Sequence, residues 1–232
     1  MGGVRVGRNI PYAARRDGPM TGTLYQPAVN EGPYPAIVAV QGGGWRRASP
    51  SFPHLAPWLA RQGYAVFTPT YRLATPDHYP AAVHDIRAAV QFIKGRAGDL
   101  NIVANCIALL GVSAGGHLAS LVALGGDHPT FDATDETGEF GHLSTQVKVA
   151  VPVYGIYDLV QQWRHDQLTR PGDHLTEKFL GQSLLDDRRL YFDASPLSYV
   201  SRNRNTTEFL IAWGTEDDVV DRASSLFLFW KR

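Results

Sequence analysis

A serine between glycines, placed where an apolar run meets a helical pattern, limits the folds open to this chain more than any other feature. Residues 107–119 read Ile-Ala-Leu-Leu-Gly-Val-Ser-Ala-Gly-Gly-His-Leu-Ala, so a GxSxGG motif follows a predicted strand and opens a predicted helix. A tight strand-to-helix turn holds its serine in a strained conformation, and Gly111 and Gly115 on either side of Ser113 relieve the crowding. The helix N-terminus, with the free N–H of Ala114, can stabilise negative charge beside the serine. Ser113 is therefore a candidate nucleophile; the alternative is a serine that caps a helix in a glycine-rich turn.

The order of the predicted elements indicates an α/β fold. Short apolar, β-branched runs alternate with longer segments of helical spacing, which predicts βαβ units around a mostly parallel sheet. The predicted strands are Thr23–Gln26, Ala36–Gln41, Ala65–Thr70, Ile107–Val112, Val147–Val153 and Glu208–Trp213. The predicted helices are Pro53–Gln62, Pro80–Lys94 and Ala114–Leu124, and the second carries an apolar stripe of Val83, Ile86, Val90 and Ile93.

The length and composition suit one domain. With 232 residues and 44% hydrophobic residues, the chain can build one sizeable core, and we expect residues 1–232 to form it. Two connections, near residues 125–145 and 160–201, are polar, turn-rich and long. Long insertions often cover a site, so we expect lid or substrate-pocket material there.

Charge and hydropathy exclude several classes of partner. Lys plus Arg and Asp plus Glu number 22 each, so no net field attracts nucleic acid, and no run of basic residues forms a patch. Residues 1–19 lack the apolar stretch of a signal peptide, and no 18-residue apolar run predicts a membrane span. We therefore expect a soluble, cytoplasmic protein.

Cysteine and histidine patterns predict neither a disulfide framework nor a metal site. Cys106 is the single cysteine, and its apolar run through Leu110 predicts a buried strand residue packed in the core. HExxH is absent, and the His/Asp neighbours at 127–128, 165–166 and 173–174 have no recognised ligand spacing. We expect no metal and no cofactor.

A second glycine motif follows the predicted strand that ends at Gln41. The run Gly42-Gly43-Gly44-Trp45 leaves backbone N–H groups unscreened by side chains, so the loop can donate hydrogen bonds to an oxyanion. Gly43 and Gly44 are the donors that pair with Ala114 in such a site. The alternatives are a flexible turn or a phosphate loop, but neither Gly-Lys-Ser/Thr nor GxGxxG follows.

These motifs together resemble those of a known family. The Gly42–Trp45 loop, Tyr71-Arg72-Leu73-Ala74 with Tyr79-Pro80-Ala81-Ala82 and Asp85-Ile86, and the segment Gly111–Ala119 are similar to signatures of hormone-sensitive-lipase-type and feruloyl-esterase-like (BD-FAE-like) α/β hydrolases. Two less specific segments of the same branch are Tyr154–Leu159 and Ala194-Ser195-Pro196. The resemblance spans roughly residues 20–220 and implies an α/β-hydrolase fold. Gln41 stands where the family usually has histidine, which implies altered loop support with the backbone donors retained.

The resemblance also implies a catalytic acid. The run Phe209–Val220, an apolar strand followed by an acidic turn, is similar to the family's GxxDxxV, and residue-by-residue matching makes Asp217 the acid. An acid in this place accepts the imidazole N–H of a catalytic histidine and fixes its tautomer. We favour Asp217 over Asp218 and Asp221; the alternative for each is a carboxylate that caps the next helix.

The order Ser, Asp, His of this fold calls for a histidine after Asp217. All eight histidines precede it: His54, His78, His84, His117, His128, His142, His165 and His174. His117 resembles the elbow-helix position of the family rather than the base. The residues after Asp217 are too few for the helix of about 11–12 residues and the strand of about 5–6 that precede a histidine loop.

The C-terminal residues depart from the family pattern. Ser225–Arg232 contain five consecutive large apolar residues where the fold predicts an amphipathic helix. We therefore expect a truncated chain that lacks the last strand and helix, and we hypothesise a change of reading frame near residues 223–226. An uncovered strand and an aromatic tail would favour self-association.

The hypothesis is a serine carboxylic-ester hydrolase that acts through an acyl-enzyme on small or aryl esters, impaired by the loss of its histidine. A formamidase or peptidase with the same triad is one alternative. A non-catalytic or defective homologue that keeps only the fold is another. A small-molecule ester is the expected ligand.

Overall fold

The computed structural model describes residues 2–29, 31–48, 52–74, 77–132, 138–201 and 205–222. Its strands are β1 (Val4–Arg15), β2 (Gly18–Pro27), β3 (Tyr34–Val40), β4 (Ala65–Pro69), β5 (Ile102–Val112), β6 (Val149–Val153) and β7 (Glu208–Phe209). Its helices are α1 (Leu55–Arg61), α2 (Ala81–Gly95), α3 (Ala114–Gly125), α4 (Leu159–Thr169), α5 (Leu175–Leu180) and α6 (Arg188–Asp193), with short 3-10 helices at Pro129–Phe131 and Pro196–Tyr199.

The described strands form one sheet in the order β1-β2-β4-β3-β5-β6-β7. The pairs β1–β2 and β2–β4 are antiparallel, and every pair from β4 to β7 is parallel. Parallel neighbours need crossover helices, and the predicted alternation of strands and helices supplies them. The predicted α/β class, with a mostly parallel sheet flanked by helices, is confirmed.

Helices cover both faces of the sheet, and the alternation along β3 shows how. Val38 and Val40 are buried in the larger apolar cluster with α2 and α3, whereas Ile37 and Ala39 are buried in a smaller cluster with Ala56 of α1. Successive side chains of a strand point to opposite faces. Accordingly α1 lies on one face and α2 and α3 lie on the other.

The three predicted helices are confirmed, and their ends differ from the prediction by at most two residues. The predicted stripe of α2 is fully buried at Val83, Ile86, Val90 and Ile93, all 0% exposed. This stripe belongs to the same apolar cluster as α3, so it helps to hold the helix that follows Ser113 against the sheet.

Several sequence expectations need correction. The long edge strand β1 was not predicted, because Arg8 interrupts the alternating apolar residues Val4, Val6, Ile10 and Tyr12 of a Gly- and Arg-rich sequence. Most of its side chains are exposed or half-buried. The predicted strand Glu208–Trp213 pairs as a ladder only at Glu208–Phe209, followed by a single bridge between Val153 and Ala212. The segment 160–201 is largely helical, in α4, α5 and α6, rather than a run of turns.

Cys106 is exposed, so its predicted burial is wrong. The register between β3 and β5 jumps from the pair Tyr34–Ile102 to the pair Ala36–Ile107. Residues 103–106 of β5 therefore do not pair with β3, and they are exposed to solvent, although the apolar run suggested a regular strand. The residues of the unusual C-terminal tail, Ser225–Arg232, lie outside the described residues. In the part of the chain that the structure describes, no helix is long and apolar enough to span a membrane.

Candidate active site

Ser113 lies at the turn between β5 and α3 in the strained conformation that the glycine motif predicts. Its φ is 56° and its ψ is −122°, a combination that costs a non-glycine residue about 1–3 kcal/mol. The Ser113 N–H donates to the carbonyl oxygen of Val153 at 3.0 Å, which ties the turn to β6. Its half-buried side chain makes no capping hydrogen bond to α3. The helix-cap alternative for this serine is therefore wrong.

The glycines around Ser113 are required by close backbone contacts. A β-carbon at Gly111 would lie 2.2 Å from the carbonyl oxygen of Gly115. A β-carbon at Gly115 would lie 2.1 Å from the carbonyl oxygen of Val40 and 2.4 Å from that of Gln41. The first turn of α3 thus packs directly on the end of β3, where no side chain fits.

The glycine loop that follows β3 comes into contact with this serine. A β-carbon at Gly42 would lie 2.9 Å from the carbonyl oxygen of Val112 and 3.4 Å from Cβ of Ser113. Gly43 and Gly44 have positive φ angles of 112° and 62°, which glycine adopts without strain. The structure therefore brings the loop and the elbow together, with Gly42, which the sequence did not single out, as the residue in contact. The sequence signal for this contact was the position of Gly42 as the first glycine after β3.

Tyr71 supports this loop through the backbone. Its buried hydroxyl lies 3.1 Å from the carbonyl oxygen of Gln41 and 3.3 Å from that of Gly42, and it donates to this pair. Burial raises the pKa of the Tyr71 hydroxyl well above its usual range, so the hydroxyl stays a donor at neutral pH. Because the contact uses backbone carbonyls, it does not depend on the residue type at position 41.

Ala114 is the first residue of α3 and is fully buried. The N–H groups of a helix's first turn have no acceptor within the helix. The Ala114 N–H therefore lies beside Ser113 as a possible donor to a bound ligand. Ala114 and Gly42 flank the serine from two different elements.

Asp217 lies in a turn after β7. Its Oδ1 accepts from the N–H groups of Val219 at 3.0 Å and Val220 at 2.9 Å, so the carboxylate caps its own turn. The segment before it is tied to β6, since the Tyr154 N–H donates to the carbonyl oxygen of Ala212 at 2.6 Å. Because β6 also binds the turn of Ser113, the serine and the acidic turn emerge at the same edge of the sheet.

Helix α4 holds the acidic turn in place. The fully buried amide of Gln162 donates from Nε2 to the carbonyl oxygen of Val219 at 2.9 Å and accepts from the N–H of Asp221 at 3.0 Å. Arg170 and His165 add side-chain contacts to the carbonyl oxygens of Val219 and Asp218. Gln162 was not predicted from the sequence, because no local motif indicates a contact between residues 57 positions apart.

His117 follows Ser113 by four residues, and its contacts do not suit a catalytic base. His117 is fully buried, and both ring nitrogens contact protein atoms, Trp45 Nε1 and the carbonyl oxygen of Ala194. Burial lowers its pKa to about 4, so it is neutral at physiological pH. Within the described residues, no hydrogen bond joins the Ser113 hydroxyl to a histidine.

A cavity of about 610 Å³ lies at the opposite end of α3, bordered by Leu124, His128, Arg189 and Tyr199. The length of α3 places it roughly 18 Å from Ser113. It is therefore separate from the candidate site. In the described ranges, no three His, Cys, Asp or Glu side chains group as metal ligands would.

A family model described as BD-FAE matches residues 23–231 of the chain. Esterase LipC of Mycobacterium tuberculosis is 29% identical over 190 residues, which make up 81% of this chain and 45% of that protein. An acetylxylan esterase of Xylanibacter ruminicola is 36% identical over 90 residues, 38% of this chain and 18% of that protein. The chain therefore spans less than half of the length of these relatives.

Solved structures with a similar fold include an esterase of Pyrobaculum calidifontis, with a TM-score of 0.72 and 26% identity over 98% of this chain and 72% of that one. A carbohydrate esterase from gut microbiota, solved in a truncated form, has a TM-score of 0.81 and 22% identity, and the match covers 98% of this chain and 82% of that one. The chain has the α/β-hydrolase fold.

Proposed function

The chain belongs to the BD-FAE family, and on that premise we propose that it is a carboxylic-ester hydrolase with Ser113 as its nucleophile. The observation that carries the proposal is the strained turn of Ser113 with Gly42 packed against it. That strain is offset only by surrounding structure, and strained residues cluster at active sites. The names of the relatives, esterases LipC and acetylxylan esterase, agree with the ester bond as the target.

The proposed reaction begins with attack of the Ser113 Oγ on the ester carbonyl carbon, while the hydroxyl proton passes to a general base. Backbone N–H groups of Gly43, Gly44 and Ala114 donate to the oxyanion that forms. The intermediate then expels the alcohol, which takes up that proton. Water attacks the acyl-enzyme, the acid leaves and the Ser113 hydroxyl is restored. Asp217 orients the base and stabilises its charged form.

In the family's order the histidine base follows the acid, but every histidine of these residues precedes Asp217. We propose that a polypeptide of these 232 residues turns over slowly for that reason. Loss of the base in a related triad costs on the order of a million-fold in turnover.

Substrate selection belongs, in this proposal, to the segment 160–201. Leu175 packs against Gly44, where a β-carbon would lie 3.0 Å from the Leu175 Cδ1, and Asp173 pairs with Arg46 at 2.8 Å. These contacts put the segment beside the proposed oxyanion donors. Esters with a small acyl group or an aryl alcohol are the proposed substrates. The residues that follow α3, near 125–145, begin at the far end of that helix, so we assign them no such role.

The test is hydrolysis of p-nitrophenyl acetate by the 232-residue polypeptide, by its Ser113→Ala variant and by a Ser198→Ala control. After subtraction of the hydrolysis that imidazole alone catalyses, we expect slow hydrolysis that increases with added imidazole, which takes the place of the histidine base, and that depends on Ser113. A polypeptide extended by a histidine-bearing C-terminal segment should be far faster. Equal rates for the Ser113→Ala variant and the control, with and without imidazole, would reject the proposal. Comparison with p-nitroacetanilide separates an esterase from an amidase.

A further inference from the structure

Trp45 follows the glycine loop in an unusual state. It is fully buried, and its φ is 58°, a left-handed conformation that a bulky residue adopts only when its surroundings hold it there. Its carbonyl oxygen accepts from the N–H of Ala74 at 2.8 Å, which fixes the backbone on one side. Gly44 is its direct chain neighbour and Gly43 is the residue before that, so the fixed backbone of Trp45 limits where these two glycines can lie.

The indole of Trp45 is held by His117 of α3. Its Nε1 donates to Nδ1 of His117 at 3.2 Å, and the two rings meet edge to face with centroids 5.2 Å apart. Nε2 of His117 lies 2.8 Å from the carbonyl oxygen of Ala194. A carbonyl oxygen only accepts, so Nε2 carries the proton and Nδ1 is free to accept from the indole. Both polar atoms of this neutral imidazole are thus satisfied by a single tautomer.

This hydrogen-bond chain joins three separate parts of the molecule. Trp45 belongs to the glycine loop, His117 lies one turn after Ser113 in α3, and Ala194 belongs to the segment 160–201. Phe179 of α5 stacks on the indole with centroids 4.3 Å apart and an interplanar angle of 15°. The loop is therefore clamped between the helix that carries Ser113 and the segment that packs beside it.

We propose that His117 is a positioning residue, which sets the glycine loop relative to Ser113 by accepting the indole hydrogen bond of Trp45. This inference rests on the proposed function, in which Gly43 and Gly44 donate to the oxyanion. The bond from His117 to Ala194 holds the imidazole in the required tautomer. The segment 160–201 thereby contributes to the placement of the oxyanion donors as well as to the proposed pocket.

Two amide substitutions test the two hydrogen bonds of His117, to Trp45 and to Ala194, one at a time. In His117→Asn the side-chain oxygen can take the place of Nδ1 and accept from Trp45, whereas in His117→Gln the side-chain nitrogen takes the place of Nε2 and donates to Ala194. Trp45→Phe removes the donor of the first bond and keeps an aromatic ring for Phe179 to stack on. One variant can thus keep a hydrogen bond to the Trp45 indole, and the other two lose it.

The readouts are the NMR resonance of the Trp45 indole N–H, assigned by its loss in Trp45→Phe, and the second-order rate of Ser113 modification by a fluorophosphonate. The phosphoryl oxygen of this probe occupies the proposed oxyanion site. We expect His117→Asn to keep the hydrogen-bonded indole resonance and a rate within about threefold of the parent. His117→Gln and Trp45→Phe should react at least tenfold more slowly, since loss of one oxyanion donor costs about 10²–10³.

Circular dichroism and thermal unfolding identify any variant that fails to fold, and the remaining variants decide the outcome. Equal rates in the parent and in folded Trp45→Phe and His117→Gln would overturn the positioning role while leaving the nucleophile intact. Equal losses in His117→Asn and His117→Gln would overturn it as well, because a packing role does not distinguish the two amides. Absence of Ser113 modification in the parent would instead reject the proposed function itself, and with it this inference.

Discussion

Arg72 and Asp85 form a buried ion pair in which Nε of the arginine lies 3.0 Å from Oδ2 of the aspartate. The backbone N–H of Arg72 donates to the same carboxylate at 2.8 Å, and Arg15 of β1 contacts it at 2.8 Å. Asp85 is fully buried in α2. Since Tyr71 precedes Arg72 and donates to the glycine loop, this pair anchors the support of the loop to α2 and to β1.

Replacement of Asp85 by alanine should destabilise the fold strongly. It leaves two arginine side chains without their buried carboxylate, and breaking a buried pair by removing one partner costs about 3–5 kcal/mol. Urea unfolding measures the change in free energy. The matched control is Asp99→Ala, which removes the exposed pair with Arg96 and should cost less than about 1 kcal/mol. A similar small cost at both positions would contradict the anchoring role.

Substitution of Gly115 tests the contact between the elbow and β3. A methyl group there would lie 2.1 Å from the carbonyl oxygen of Val40, so Gly115→Ala must displace backbone, with a cost of about 3 kcal/mol. Gly98→Ala is the control, because open space surrounds that position. Denaturant midpoints compare the two. If Gly115→Ala unfolds at the same midpoint as the parent, the close packing of α3 on β3 is wrong.

The motifs that could be found from sequence are those whose cause is local. Gly111, Ser113 and Gly115 are crowded by one tight turn, so their spacing shows in five consecutive residues. The α2 stripe is similar, because helical spacing alone predicts its burial. Ser113 and Ala114 lie at the elbow, and Gly43 and Gly44 follow Gly42, which packs against Ser113; their chemical roles stay predictions.

The rest of the site depends on contacts between distant residues. Trp45 and His117 are 72 positions apart, and Gln162 and Val219 are 57 apart, so no local pattern marks either pair. The apolar run from Cys106 to Leu110 predicts a buried cysteine, but Cys106 lies at the register shift between β5 and β3 and is exposed. Asp158 and Asp187 cap α4 and α6, and as N-cap residues they were local signals of helices near the segment 160–201. The polar composition of the segment favoured turns instead.

Gln162→Ala should loosen the acidic turn. It removes both bonds to the backbone of the turn, to Val219 and from Asp221, and leaves those groups without their buried partner, at a cost of about 1–3 kcal/mol. Hydrogen exchange in a peptide that covers residues 214–222 should become faster. Gln161→Ala, one position away on α4, should leave it unchanged. Unaltered exchange in Gln162→Ala would show that the turn is held by other contacts.

The buried His117 should make the stability fall in mild acid. Its pKa is about 4 in the folded protein and about 6.5 when unfolded, so between these values the unfolded state binds the additional proton. The free energy of unfolding should therefore decrease by up to about 3 kcal/mol as the pH falls from 6.5 to 4. His117→Asn should lack this part of the slope. Parallel pH profiles for parent and variant would show that another group is responsible.

The central proposal is that Ser113, held in the strained turn, is the nucleophile of this protein. The most direct measurement is mass-spectrometric mapping of the adduct after the polypeptide is treated with a fluorophosphonate, with and without added imidazole. We expect a single modified residue, Ser113, whose labelling is abolished by prior unfolding and accelerated by imidazole. Modification spread over several serines, or a Ser113 that reacts no faster in the folded than in the unfolded chain, would contradict it.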